Sequence, residues 1–126
     1  MAFKLRTDPA TRKPTLEPAW LSGDFGVPEP VAIANGVVFA LSNGENPRQT
    51  VQGGRFAKGF TLLTTEQRKA TSHAVLYALE ASTGKVLYSS GDMIQKWTHF
   101  SAPVVANGRV YVVDHGSRVY ALGLGR

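Results

Sequence analysis

Short runs of alternating apolar and polar residues fill most of this chain, and they come in two matching sets. In the first, Pro30-Val31-Ala32-Ile33-Ala34 leads to Asn35-Gly36 and then to Val37-Val38-Phe39-Ala40-Leu41. In the second, Pro103-Val104-Val105-Ala106 leads to Asn107-Gly108 and then to Arg109-Val110-Tyr111-Val112-Val113. Each set also owns a Tyr-Ala-Leu run: Leu76-Tyr77-Ala78-Leu79 and Val119-Tyr120-Ala121-Leu122. Val, Tyr and Phe suit pleated, half-buried strands. An Asn-Gly pair between two such runs is a strong hairpin signal, because both central turn positions need positive φ.

The pattern predicts four antiparallel strands in the first unit, at about residues 31–34, 37–41, 74–80 and 85–89. Ser82-Thr83-Gly84 supplies the turn before the fourth, with Gly84 at the left-handed position. The second unit has three strands, at about residues 104–106, 109–113 and 118–122, with no fourth before Arg126. An orphan strand at residues 16–22, ending near Trp20, is placed as the missing outer strand of a ring-closing unit. Four-stranded antiparallel units in series are the mark of β-propeller blades. The expected organisation is therefore all-β, about two blades of a larger ring. Residues 1–15 form a flexible leader, and residues 16–126 the propeller segment. Within that segment come the orphan strand, a complete blade over 28–90 carrying an insertion at 45–72, and a partial blade over 101–123. The insertion holds Gly53, Gly54 and Gly59, which favour irregular backbone, and a short helix at about residues 65–69 capped by Thr64 or Thr65. Its Phe56, Phe60, Leu62 and Leu63 are expected to pack over the first blade or into a neighbour.

Composition narrows the chemistry. The 126 residues are 43% hydrophobic and 18% charged, which is not a disordered composition. No cysteine is present, so disulfides, thiolate catalysis and Cys-ligated metals are excluded. The net charge is +5, with basic residues gathered in the leader and the insertion but no dense basic stripe interleaved with aromatics, which argues against nucleic acid. The sequence predicts no membrane span, signal peptide or export address. No P-loop, Gly-x-Ser-x-Gly or paired-carboxylate signature occurs.

The stretches "APVVANGRVYVVDHGSRVYALG" and "LYALEASTGKVLYSSG" resemble the repeat of pyrroloquinoline-quinone (PQQ)-like β-propellers. The resemblance covers roughly residues 28–44 and 73–123. It departs at Glu80, where the family has Asp, and at Tyr88, where Trp is common. It implies a closed ring of several blades, and a periplasmic or exported parent. Such repeats build quinone-dependent dehydrogenases, and also scaffolds that bind no quinone. The expected role is a non-catalytic structural or binding scaffold without a cofactor of its own. The alternatives are the C-terminal part of a PQQ-dependent dehydrogenase, with PQQ and calcium, and a protein-protein interaction module. The expected partners are other blades, from a longer parent chain or from identical subunits.

Strand alternation sorts the connections onto two faces. The insertion, Asp114-His115-Gly116 and the segment Ser90–Ser101 should share the face on which propellers commonly carry ligands. Candidates there are Trp97, His99, Asp114, His115 and His73. Trp97 is a candidate to stack on a planar cofactor, or to pack between blades. The histidines lack the spacing of a metal site and read as loop residues bonded to backbone. Asp114 is a candidate general base, or a cap on the turn before the third strand. No catalytic residue and no metal site are assigned.

Overall fold

The computed structural model describes residues 1–51, 61–69 and 73–123. The chain is all-β, with antiparallel sheets of two, four and three strands. A hairpin of β1 (Ala2–Thr7) and β2 (Pro14–Trp20) comes first. Sheet 1 follows, with β3 (Ala32–Ala34), β4 (Val37–Ser42), β5 (Val75–Glu80) and β6 (Val86–Ser89) in sequence order. A 3₁₀ turn at Gly91–Met93 leads to sheet 2, made of β7 (Val104–Ala106), β8 (Arg109–Val113) and β9 (Val119–Gly123).

The Asn-Gly signals act as expected. Asn35 and Gly36 have φ of 48° and 75°, and Asn107 and Gly108 have 49° and 71°. Positive φ at both positions is the turn that matches strand twist. The registers that follow are the same in both sheets: Ala32 faces Phe39 and Val104 faces Tyr111, while Ile33 faces Val38 and Val105 faces Val110. Gly84, at φ 75°, closes the β5–β6 turn.

Sheet 1 is apolar on both sides. One face presents Leu41, Ala74 and Leu76, with Phe39 beside them, to Val105, Val110, Val112, Tyr120 and Leu122 of sheet 2. Ile94, on the crossover between the sheets, fills the same core. The opposite face presents Val38, Ala40 and Leu79, covered by Trp20, Phe25, Tyr77 and Ala81. Removing each fully buried Leu, Ile or Val side chain among these from water stabilises the fold by about 1.5–3 kcal/mol. The two layers therefore stack in the order of the chain, and the inner strands β3 and β7 lie side by side.

Two expectations are corrected. Residues 1–15 are not a flexible leader: residues 2–7 form β1, paired with β2 in one register from Thr7–Pro14 to Phe3–Pro18 and shifted by a residue at Ala2–Trp20. The cause is local. The Asp8 carboxylate accepts from the Ala10 and Thr11 amides at 2.8 and 3.0 Å, and the Asp8 amide donates to Lys13 O, closing a tight turn. Arg6 Nε also reaches Glu17 at 3.2 Å across the pair. The strand placed at 16–22 accordingly begins earlier and ends at Trp20, and it is paired with β1 instead of being an orphan.

In the insertion, a ladder joins the Gln49–Val51 backbone to Thr61–Leu63. The helix α1 (Thr65–Lys69) forms with Thr64 as its cap. The Thr64 hydroxyl accepts from the Gln67 amide, and Gln67 Oε1 accepts from the Thr64 amide, a reciprocal capping box. Phe56 and Phe60, expected to pack over the blade, lie outside the described residues. Leu62 is exposed and Leu63 half-buried.

Candidate functional site

The β4–β5 connection, the β8–β9 connection and the crossover between the sheets meet at one end of the stack. Three backbone bonds hold them there. Ala74 N donates to Lys96 O at 3.0 Å, Thr98 N to Asn43 O at 2.8 Å and His115 N to Trp97 O at 2.9 Å. Gly44 lets the two ends of the insertion pass each other closely here. Its φ is 79°, and a Cβ there would stand 2.6 Å from the backbone carbonyl of His73. Only glycine permits the two ends of the insertion to come so close.

Besides Asp114, two carboxylates among the described residues are buried at this end, Glu29 and Glu45. Asn43, also buried, links them: its Nδ2 donates to Glu29 Oε1 at 3.3 Å and its Oδ1 accepts from the Glu45 amide at 2.9 Å. Glu29 is brought in because residues 27–29 run alongside β4, with Glu29 N donating to Leu41 O and Asn43 N to Val27 O. His99 Nδ1 stands 2.6 Å from Glu45 Oε1. That contact lacks hydrogen-bond geometry. Its attraction is ionic, and it is present when His99 is protonated. The Thr98 hydroxyl beside it is buried with no hydrogen-bond partner among the described residues.

The five candidates from the sequence fall into separate arrangements. Trp97 is buried, and the His115 ring stacks on it at 4.0 Å with planes 3° apart. A planar ligand using that face would have to displace His115. His99 tilts against Trp97 at 5.8 Å and against Phe100 at 3.9 Å. His73 Nε2 lies 3.1 Å from Asp92, whose side chain is otherwise in solvent. Among the described residues, no group of three or more His, Asp and Glu side chains is placed to hold a metal ion.

Asp114 is buried and serves its own turn. Its Oδ1 accepts from the Gly116 and Arg118 amides at 2.7 and 3.2 Å, and its Oδ2 accepts from the Tyr120 hydroxyl at 2.8 Å. The same hydroxyl accepts from the Gln95 amide at 3.1 Å, which ties the crossover to sheet 2. Burial alone pushes the Asp114 carboxyl up. The Tyr120 hydroxyl, the two amides and the Arg118 charge outweigh it, so the net displacement is below the ordinary 3.8. A carboxylate so satisfied is a weak base and a strong brace.

Sequence reasoning missed Glu29, Asn43 and Glu45. Loop carboxylates are ordinarily solvated, and only the crossing of three connections buries these. Asn43-Gly44-Glu45 did carry an Asx-turn signal. On the opposite side of sheet 1, the Trp20 indole lies against Gly84, and its Nε1 donates to Ala81 O at 2.9 Å.

A scan against protein-family models finds no match for this chain, and searches of curated proteins and of solved structures return none either. No helix among the described residues is long and apolar enough to cross a membrane.

Proposed function

We propose that the chain is a non-catalytic scaffold segment of the PQQ-like β-propeller kind, in which stacked antiparallel sheets act as blades. The observation that carries this reading is the serial use of faces. The side of sheet 1 that presents Leu41 and Leu76 covers the side of sheet 2 that presents Val110 and Val112. Val110 and Val112 hold the register positions of Val38 and Ala40, on the other side of sheet 1. Each sheet therefore has a leading and a following face, as wedges in a series do, whereas a two-layer sandwich buries inner faces only. The Trp20 indole seated on Gly84, from a strand outside sheet 1, supports the same reading.

The candidate end of the stack fits a brace between blades. The Asn43–Thr98 and Trp97–His115 bonds join the sheets, and the Asp114–Tyr120–Gln95 series fixes the crossover. The test is incubation of the full chain with PQQ and calcium ion, followed by gel filtration. The expected result is no chromophore travelling with the protein, no reduction of a redox dye with alcohols or sugars, and unchanged Trp fluorescence. A stoichiometric bound quinone overturns the scaffold reading in favour of a dehydrogenase segment.

A further inference from the structure

We infer that the outer edge of β1 is a docking site for an extended acidic segment of another protein, which adds to the β1–β2 hairpin as a third strand. The inference does not rest on the blade reading, because the hairpin lies outside both sheets.

The hairpin is unfinished. Its two strands pair with each other, and no other described strand runs alongside either. Directly opposed residues share a side of an antiparallel pair. Phe3 and Leu5 therefore share one side with Pro14, Leu16 and Pro18, and Lys4 and Arg6 share the other with Thr15 and Glu17. On the apolar side, Phe3, Leu5 and Leu16 are 51%, 71% and 65% exposed. Two strands alone are marginal in water, and a third strand with an apolar side is the least that makes such a sheet stable.

The two edges of the hairpin differ. The Asp8 amide donates to Lys13 O at 2.9 Å, so residues 8 and 13 turn their bonding groups toward each other. Inward and outward groups alternate from there along an antiparallel pair. Arg6 and Thr15 turn theirs inward, as do Lys4 and Glu17. Phe3, Leu5 and Thr7 on β1, and Pro14, Leu16 and Pro18 on β2, turn theirs outward. Proline has no amide hydrogen, so two of these three donors are missing on β2 and that edge is blunted. On β1 all three are present. A strand arriving at the hairpin therefore pairs with β1.

Charge says what that strand carries. An incoming antiparallel strand meets Lys4 and Arg6 at the pairs that are not hydrogen-bonded, where opposed side chains come closest. Among the described edge strands, β3, β6, β7 and β9 have no charged residue, so β1 alone sets two cations along its edge. Both are exposed, and Glu17, which Arg6 Nε reaches at 3.2 Å, is the one carboxylate that the hairpin strands set against them. Like charges directly opposed destabilise a pair, so β1 of a second copy is repelled, with its own Arg6 and Lys4 against Lys4 and Arg6. This chain holds no substitute, since no two of its nine Asp and Glu residues lie two positions apart. The fitting partner is a segment of a different protein that alternates Asp or Glu with apolar residues. Its carboxylates face Lys4 and Arg6, its apolar side chains widen the Phe3–Leu5–Leu16 side, and its carbonyls accept from the outward amides of β1.

The probe is an end-blocked, fluorescein-labelled peptide, Thr-Val-Glu-Val-Glu-Val-Thr, titrated with the full chain and followed by fluorescence anisotropy. The expected result is saturable binding that salt weakens, with the Phe3, Leu5 and Thr7 amides newly protected from hydrogen exchange. The same peptide with Lys in place of Glu should not bind, and Lys4→Glu with Arg6→Glu should reverse that preference. Leu5→Pro removes an outward amide that the hairpin does not use, and should weaken binding about tenfold, the loss expected for one backbone hydrogen bond. Thr7→Pro does the same without touching Phe3, Leu5 or Leu16, and serves should Leu5→Pro disturb the hairpin. No binding of the Glu peptide at millimolar concentration, equal binding of the two peptides, or full binding by both proline variants overturns the inference. Adhesion to phosphatidylglycerol vesicles that Thr7→Pro leaves unchanged, with no binding of peptide, also overturns it and assigns the hairpin to a lipid surface. Bound quinone overturns the scaffold reading and leaves the hairpin untouched.

Discussion

Leu41 and Val113 occupy the same register position in sheets of the same build, yet one is sealed and the other is open. Sheet 1 is covered on one side by sheet 2 and on the other by Trp20 and Phe25. Sheet 2 is covered on one side only. The difference between the sheets does not come from the strand pattern, Asn-Gly turn or pairing of their first three strands, which match. It comes from having a neighbour. For a stacked sheet, burial belongs to the pair of layers and not to the strand.

The comparison breaks most readily at its centre. Leu41→Ala, in urea unfolding of dilute protein, is expected to cost about 3–4 kcal/mol, the usual loss for a sealed aliphatic side chain. Val113→Ala under the same conditions should cost less than about 1 kcal/mol. Equal losses would mean that the sheets are covered alike in solution.

The next contrast is between two aromatic residues at the ends of comparable strands. Trp20→Ala removes the cover over Val38 and Leu79 and the bond to Ala81 O, and should cost about 2–3 kcal/mol. Tyr88→Ala, on exposed β6, should cost well under half of that. Gly84→Ala places a methyl group in the Trp20 ring at a positive φ, so it should destabilise strongly in the native chain and much less in a Trp20→Ala background. Additive losses in that double-mutant cycle would sink the contact.

Asp114 sharpens the sheet 2 side. Asp114→Ala leaves the Gly116 and Arg118 amides and the Tyr120 hydroxyl without their acceptor, at a cost of about 2 kcal/mol. The folded carboxyl titrates below its unfolded value, so its contribution is complete above about pH 4 and fades as pH falls through the lower folded value. Denaturant midpoints of the native chain should therefore drop below pH 4 by more than those of Asp114→Asn. Parallel curves would show that another group governs the acid limb.

The smallest effect is a control on the likeness of the sheets. Gly36→Ala and Gly108→Ala each place a Cβ in open space at positive φ, so backbone strain alone should cost about 1 kcal/mol in both. A large inequality would mean that one hairpin carries more than its turn.

How much was legible follows from the range of each signal. The seven strands of sheets 1 and 2 fall within a residue or two of the alternating runs, because period-two alternation and Asn-Gly turns act over a few residues. The helix at Thr65–Lys69 was legible in the same way, with Thr64 or Thr65 as its cap, and the structure chose Thr64. The β1–β2 hairpin was harder to see. Phe3-Lys4-Leu5-Arg6 does alternate and Asp8-Pro9 is a turn signal, but both strands are exposed on nearly every side chain, so no buried face marked them. Of the candidate site, the meeting of the Asp114–Gly116 loop with the crossover was foreseen from strand direction. The buried Glu29–Asn43–Glu45 set was not, since no local pattern distinguishes a loop carboxylate that will be covered from one that will not.

The sequence by itself determined where the chain extends, where it turns and which side chains point to opposite faces, because these follow from backbone sterics and side-chain period within a few residues. Only the tertiary structure decided that Trp20 lies on Gly84, that His99 faces a buried Glu45, and that Leu41 is sealed while Val113 is not. Those outcomes depend on which surfaces far apart in the chain exclude water from one another, and desolvation is a property of the assembled layers.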